Sequence, residues 1–290
     1  MIFRFIRAEK ANFPVAFVCA KLGVSRSGYY AWRSRPPSTR TVHDQVLTER
    51  IRLIHHRSRC TYGAPRIWAE LRDDGVRVGR KRVARLMRAE EIRGAYRRPR
   101  RGRRGHAMFH PAGDLLGRNF CTQGPDLVWV ADITYWPTGE GFLHIAAVMD
   151  LWSRRIVGWA MASHLRAELV IDALEMATSR RRPSPGLIHH SDQGSQYTSF
   201  SFGRRLRESA ILPSMGRTGT PADNAVVESL FDTMKLELLL GRRYRTREGA
   251  KAAIFEWMEV FYNRQRRHST LDNISPAEFE RRYAAEPAAV

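Results

Sequence analysis

Cysteine is scarce in this 290-residue chain, with only 3 residues: Cys19, Cys60 and Cys121. Their odd number and wide spacing exclude a disulfide framework, and the lack of a C-x-x-C pair excludes a cysteine zinc module. Three ordinary reduced thiols of a cytosolic protein are expected. Long hydrophobic runs are missing too. Nothing in the sequence approaches the roughly 18 apolar residues of a membrane span, so no membrane partner is expected. The opening, MIFRFIRAEK, is broken by Arg4, Arg7, Glu9 and Lys10 and reads poorly as a signal peptide. Acidic side chains number 29 against 49 basic ones, leaving a net charge of +20. That excess calls for a polyanion, either nucleic acid or an acidic surface.

What is present can build a core. The chain is 43% hydrophobic and carries 7 Trp, 9 Tyr and 13 Phe, which argues against wholesale disorder. The charge is uneven. Residues 1–120 hold 28 basic and 9 acidic side chains, whereas residues 121–290 hold 21 and 20. One part is suited to holding a polyanion and the other is a balanced globular body.

Residues 12–33 read as two short helices about Gly23, with Phe13, Ala16, Phe17, Ala20 and Leu22 on the apolar face and Ser25 capping the second. A Pro/Ser/Arg stretch at 35–40 reads as a linker. More helix follows over 44–92, with Pro65 at one helix start and the turn Asp73-Asp74-Gly75 at its end. The helix from Arg80 to Glu91 sets Val83, Leu86 and Met87 on one face and Lys81, Arg85 and Arg88 on another. That pattern suits a major-groove reader, or else a solvated basic face. Residues 93–105 contain seven Arg and read as an arm able to pair with phosphates. From about 125 the texture is β-rich: strands over 128–135, 142–149, 155–161, 187–192 and 211–215, with helices at 166–181, 199–210, 220–240, 246–266 and after Pro276. Thr220, with Pro221 and Asp223 behind it, reads as the cap of the long helix. The order predicts an α/β fold with a mixed sheet.

Three acids stand out. Asp132 lies mid-strand, opposite in facing to Ala131 and Ile133. An ionised carboxylate there is costly unless paired or metal-bound. Asp192 ends a second strand, where open α/β sheets bind ligands. Glu228 sits on the long helix. Carboxylate oxygens suit Mg²⁺ or Mn²⁺, and two such ions can serve phosphodiester chemistry. Taken singly, each acid is equally a salt-bridged, capping or solvated residue. Between Asp192 and Glu228 lie 35 residues, and Lys235 follows seven residues on, on nearly the same helical face. Only 5 of the 49 basic residues are Lys, so this one is not mere background. It can hold a substrate phosphate or pair with Asp232 or Glu237. His190, two residues before Asp192, can orient substrate or simply pack.

Asp132, Asp192 and Glu228 with that spacing, then Lys235, resemble the Asp-Asp-35-Glu pattern of retroviral integrases and related transposases. The words from Trp129 to Tyr135, from His189 to Tyr197, from Tyr262-Asn263-Arg264 to His268-Ser269, and from Ser275 to Phe279 are similar to the second-frame protein (OrfB) of IS-three family insertion-sequence transposases. The segments 22–30 and 61–83 resemble that family's helix-turn-helix regions. The resemblance implies an RNase H-like catalytic domain with a mixed five-stranded sheet over 121–285. Before it come all-α helix-turn-helix regions, at 1–40 and, with the Arg-rich arm, at 41–105. It assigns catalysis and metal binding to the three carboxylates with Mg²⁺ or Mn²⁺, two ions in all. Lys235, Lys81, Arg85, Arg88 and His190 are the candidate DNA contacts. The partners the resemblance implies are the element's terminal repeats, target DNA, further copies of the chain and a first-frame protein or frameshift fusion. A bacterial, cytoplasmic, nucleoid-associated protein follows. A DNA-binding regulator with an inactive integrase-like domain, and a simple RNase H-like nuclease, are the competing readings.

Overall fold

Six helices come first: α1 (Ile2–Glu9), α2 (Val15–Lys21), α3 (Arg26–Ser34), α4 (Thr39–Arg57), α5 (Ala64–Asp73) and α6 (Arg80–Ala89). The structure, a computed structural model, describes residues 2–95, 115, 122–216, 225–239 and 243–285. Cys121, most of the Arg-rich arm and the expected cap at Thr220, Pro221 and Asp223 lie outside the described residues.

The N-terminal helices bury a small core of Ile6, Val18, Cys19 and Tyr29, against which Phe3, Val15 and Trp32 pack. This corrects the expected apolar face. Phe13, Ala16, Phe17, Ala20 and Leu22 are all exposed, and the buried stripe of α2 is Val15, Val18 and Cys19. The helix is seven residues long and apolar on both sides, so periodicity alone cannot choose its inner face. Ser25 does cap α3, accepting from the Gly28 amide at 3.0 Å. The linker is shorter than expected, because Ser38 caps α4 by accepting from the Thr41 amide. In α6, Val83, Leu86 and Met87 are buried, and Lys81, Arg85 and Arg88 are exposed.

The sheet is built from β1 (Val128–Thr138), β2 (Gly141–Asp150), β3 (Ile156–Ala162), β4 (Ile188–Ser191) and β5 (Leu212–Met215), in the order β3-β2-β1-β4-β5. β1 and β2, and β2 and β3, pair antiparallel, whereas β4 runs parallel to β1 and to β5. This is the mixed five-stranded sheet expected. β1 outruns its expected end: Pro137 lies inside it, opposite Phe142. β4 pairs only with residues 128–130, and beyond them β1 is flanked on that side, among the described residues, only by an isolated bridge from Thr138 to Tyr244, so Pro137 breaks no continuous ladder. One face of the sheet packs on α7 (Ala167–Arg181) and α8 (Phe200–Glu208) through Trp129, Val157, Leu174 and Phe202. A Cβ on Gly158 would stand 2.2 Å from the Ala173 carbonyl, so only glycine lets α7 lie this close to β3.

The other face carries α9 (Ala225–Leu239), α10 (Arg247–Phe255) and a π-helix (Glu256–Tyr262), while α11 (Pro276–Ala285) packs on the β2–β3 turn through Phe279 and Tyr283 against Trp152. The single helix expected over 246–266 therefore changes winding at Glu256. Its core is continuous with that of α4–α6: Ile51, Ile67 and Met87 belong to one cluster with Val130, Met234 and Trp257. Polar contacts fasten the same joint. The Tyr62 hydroxyl donates to the Gln265 carbonyl and accepts from the Arg267 amide at 2.8 Å. Arg267 grips Glu70 with two hydrogen bonds, at 2.7 and 2.9 Å, and reaches Asp73 at 2.6 Å. The helix-turn-helix unit is thus held against the sheet domain. Among the described residues no helix is long and apolar enough to cross a membrane.

Candidate active site

Alternation along β1 sends Ala131 and Ile133 to the α7 side and Asp132 to the α9 side. Val130 lies opposite His190 in the parallel β1–β4 pair, and that register carried two residues on sets Asp192 level with Asp132. α9 packs on β1 and brings Glu228, in its first turn, and Lys235 to this end of the sheet.

Burial first, then the charge of Asp192, and more weakly that of Glu228, push the Asp132 carboxyl up from 3.8 to about 7. Glu228 is raised by burial and by Asp192. The three acids therefore share one electrostatic neighbourhood. Lys235 belongs to it too: burial lowers its pKa while Asp132 pulls it back up. Its ammonium sits 4.9 Å from the centre of the Tyr135 ring, a cation–π contact that fixes the side chain beside the acids. The carboxylate of Glu237, a possible partner for Lys235 on sequence grounds, is instead buried and paired with Arg266.

Asp150 shows what a purely structural acid looks like in this fold. It is fully buried, and its carboxylate accepts from the Asp126 and Ser153 amides and the Ser153 hydroxyl at 2.7–2.9 Å. Asp132 has one such donor, the Ile133 amide at 2.7 Å. Asp192 accepts from the Gly194 amide at 3.1 Å, and a Cβ on Gly194 would crowd that same oxygen. Among the described residues no three His, Cys, Asp or Glu side chains converge into a ready metal-binding group. The oxygen donors and their mutual repulsion nonetheless suit a hard divalent cation.

The model described as "Integrase core domain" matches residues 122–221, a second of the same description matches 209–276, and "HTH-like domain" matches 42–100. Over 288 residues the chain is 38% identical to the transposase InsF for insertion sequence IS3A of Escherichia coli (strain K12), covering 98% of this chain and 100% of that one. It is 40% identical over 253 residues to the transposase for insertion sequence element IS904 of Lactococcus lactis subsp. lactis (strain IL1403), covering 85% and 98%. It is 43% identical over 267 residues to a 31 kDa protein of insertion element IS600 of Shigella sonnei, covering 92% and 98%. The chain belongs to the IS3-family transposases. Among solved structures it is similar to the catalytic core domain of BIV integrase, with a TM-score of 0.41 and 18% identity, over 55% of this chain and 96% of that one. A similar likeness, with a TM-score of 0.41 and 16% identity, links it to the HTLV-2 integrase catalytic core in complex with magnesium, over 54% and 97%.

In this IS3-family chain Lys81, Arg85 and Arg88 lie on α6, and His190 lies on β4, two residues before Asp192. His190 is 1% exposed, and its Nδ1 lies 2.9 Å from the Ser214 hydroxyl of β5. Arg85 joins Arg82 in holding Asp44 of α4, at 2.6 and 2.8 Å. Two aromatic residues were not singled out in sequence as parts of the site. Tyr135 is the platform for Lys235. Tyr197 is 3% exposed and lies close enough to Asp132 and Asp192 for their charges to help raise its hydroxyl pKa, after burial. Alternation along β1 groups Tyr135 with Ala131 and Ile133 rather than with Asp132, so the sequence carries no signal for it.

The Asp132 shift fixes a sign. Unfolded, the carboxyl ionises near 3.8; folded, near 7. Its contribution to stability is present below about pH 4 and lost as pH rises through about 7. In chelator, Asp132→Asn is therefore expected to melt several degrees above the parent at pH 8 and together with it near pH 4. Equal melting at both pH values would show that the acid is not strained.

Proposed function

We propose that this transposase cleaves DNA at the ends of an insertion sequence and joins the freed 3′-hydroxyl to a second DNA phosphodiester. The observation that carries the reading is the electrostatic coupling of Asp132 with Asp192, Glu228 and Lys235, from β1, the end of β4 and α9. The family relatives named as transposases support the same reading.

The three carboxylates would hold Mg²⁺ or Mn²⁺, as one ion or two. When bound, such a cation supplies Lewis acidity at the phosphoryl oxygen and lowers the pKa of the attacking one. Asp132 must first give up the proton that burial and its acidic neighbours hold on it near neutrality. Glu228, exposed in the first turn of α9, can move towards Asp192 without breaking a core contact. Lys235, fixed on Tyr135, offers its ammonium to a substrate phosphate. Water and then a 3′-hydroxyl can attack in turn at one centre, so no covalent protein–DNA link is required. Pairing two DNA ends calls for at least two copies on DNA. A first-frame protein or frameshift fusion would supply further end recognition, and the substrate places the protein on the nucleoid.

The helix-turn-helix unit supplies positive charge. Lys81 and Arg88 are exposed on α6, and each replacement by Ala is expected to flatten the salt dependence of DNA binding by about one log–log unit. Arg85, already engaged with Asp44, is expected to do less. An unchanged slope for Lys81 and Arg88 assigns them to a solvated face.

The test of the function is a labelled duplex carrying the element end, incubated with the protein in Mg²⁺ or in chelator. A nick at the end in Mg²⁺ alone is expected. Binding without a nick in either condition would favour a regulator with an inert integrase-like domain.

A further inference from the structure

A basic concavity lies across α9 from the acids. Helical geometry puts Glu228 and Lys235 on one side of α9, and Val226, Ser229 and Thr233 on the other. That other side walls a cavity of about 350 Å³, closed by α5, the β2–β3 turn and the segment after the π-helix. Three guanidiniums line it: Arg66 from α5, Arg154 from the turn and Arg266 after the π-helix. Glu237 pairs with Arg266 in a buried salt bridge at 2.9 Å. The guanidiniums of Arg66 and Arg266 are close enough to repel: burial, then Arg266, lowers the Arg66 pKa.

His268 also lines the cavity. It is 9% exposed, and its Nε2 is buried with no hydrogen-bond partner. Burial, then Arg266, Arg66 and Arg154, drive its pKa down to about 2, so the ring is neutral and has a nitrogen to spare. An unpaired buried polar atom is costly, and so is a cluster of like charges. Both costs are met by one kind of ligand, a tetrahedral oxyanion that takes forked bonds from guanidiniums.

We propose that this cavity binds a phosphate of the DNA backbone, separate from the phosphodiester that reacts at the acids. The choice of DNA rests on the transposase reading. Position supports it: Arg66 belongs to the helix-turn-helix unit and Arg154 to the sheet domain, so the cavity lies at the joint between the two. Ser269 and Thr270, exposed and lining the cavity, leave it open to a strand. A backbone phosphate held here fixes how far the reacting bond lies from the segment read by α6.

The test uses the full chain with Asp192→Asn as background, so that binding is read without chemistry. Arg66→Gln and Arg154→Gln are each expected to lower the log–log salt slope of duplex binding by about one, equally on element ends and on unrelated DNA. Arg154→Lys is expected to keep most of the slope. Thr270→Asp, at an exposed position, puts an anion in the cavity lining and is expected to weaken binding without loss of fold. Wild-type slopes in Arg66→Gln, Arg154→Gln and Thr270→Asp, with unchanged circular dichroism and melting, would overturn the proposal. So would a melting shift by inorganic phosphate that Arg154→Gln abolishes while the DNA slope stays put, since that marks a free-anion site. Failure of the transposase reading shows separately, as absence of nicking in the protein with Asp192 intact.

Discussion

Asp192→Asn and Glu228→Gln are each expected to abolish cleavage and joining while binding to element ends survives. Both changes keep shape and remove one charge. Both residues are exposed, so the fold should lose no more than about 0.5 kcal/mol. Removing a negative charge near DNA should, if anything, tighten binding. Activity is another matter, because hard-cation sites depend on ionised oxygens. A loss beyond about a hundredfold is expected, the smallest effect usual when an electrostatic stabiliser is removed from a transition state. The check is a time course of nicked and joined product against wild type, with a gel-shift titration on the same preparations. Normal joining by both variants would remove these acids from the mechanism.

The largest expected effect on stability lies at Glu237. Its side chain is 3% exposed and that of Arg266 is 8% exposed. Glu237 accepts from Arg266 Nε at 3.0 and 3.2 Å and from the Trp257 indole at 3.1 Å. Glu237→Leu leaves a buried guanidinium and an indole N–H without their acceptor. Losing one partner of such a pair costs about 3–5 kcal/mol. The urea midpoint should fall accordingly, read by tryptophan fluorescence and circular dichroism. Replacing Arg266 by Met in the same chain should recover much of the loss, because a matched apolar pair escapes the desolvation cost. A midpoint unchanged in Glu237→Leu would mean the pair contributes nothing to the joint between α9 and the π-helix.

How legible these features are in sequence depends on the range of the forces behind them. The strands along the chain could be read, since alternation and turn residues are local signals. Asp132 stood out because a charge in an apolar strand is anomalous. Asp192 and Glu228 stood out through spacing and the words around them. The inner face of α2 could not be read, because Phe13 and Phe17 are as apolar as Val18 and only the packing of Tyr29 decides. The grip of Arg267 on Glu70 and Asp73 joins residues almost 200 positions apart, and nothing local to any of them announces it. His190 and Glu237 looked like candidates for chemistry or ion pairing at the site. Both are held elsewhere, by Ser214 and Arg266, and such partners emerge only once the sheet has formed. Tyr135 became part of the site only when α9 laid Lys235 over its ring.

The central claim is that Asp132, Asp192 and Glu228 act as one centre that joins a DNA 3′-hydroxyl to a phosphodiester. The most direct measurement offers the wild-type protein a pre-cleaved element end, labelled on the strand with the free 3′-hydroxyl, together with an unlabelled target duplex and Mg²⁺. Labelled strand covalently joined to target, free of attached protein and absent in chelator, is expected. Label recovered bound to protein, or end binding with no joined product, would contradict it.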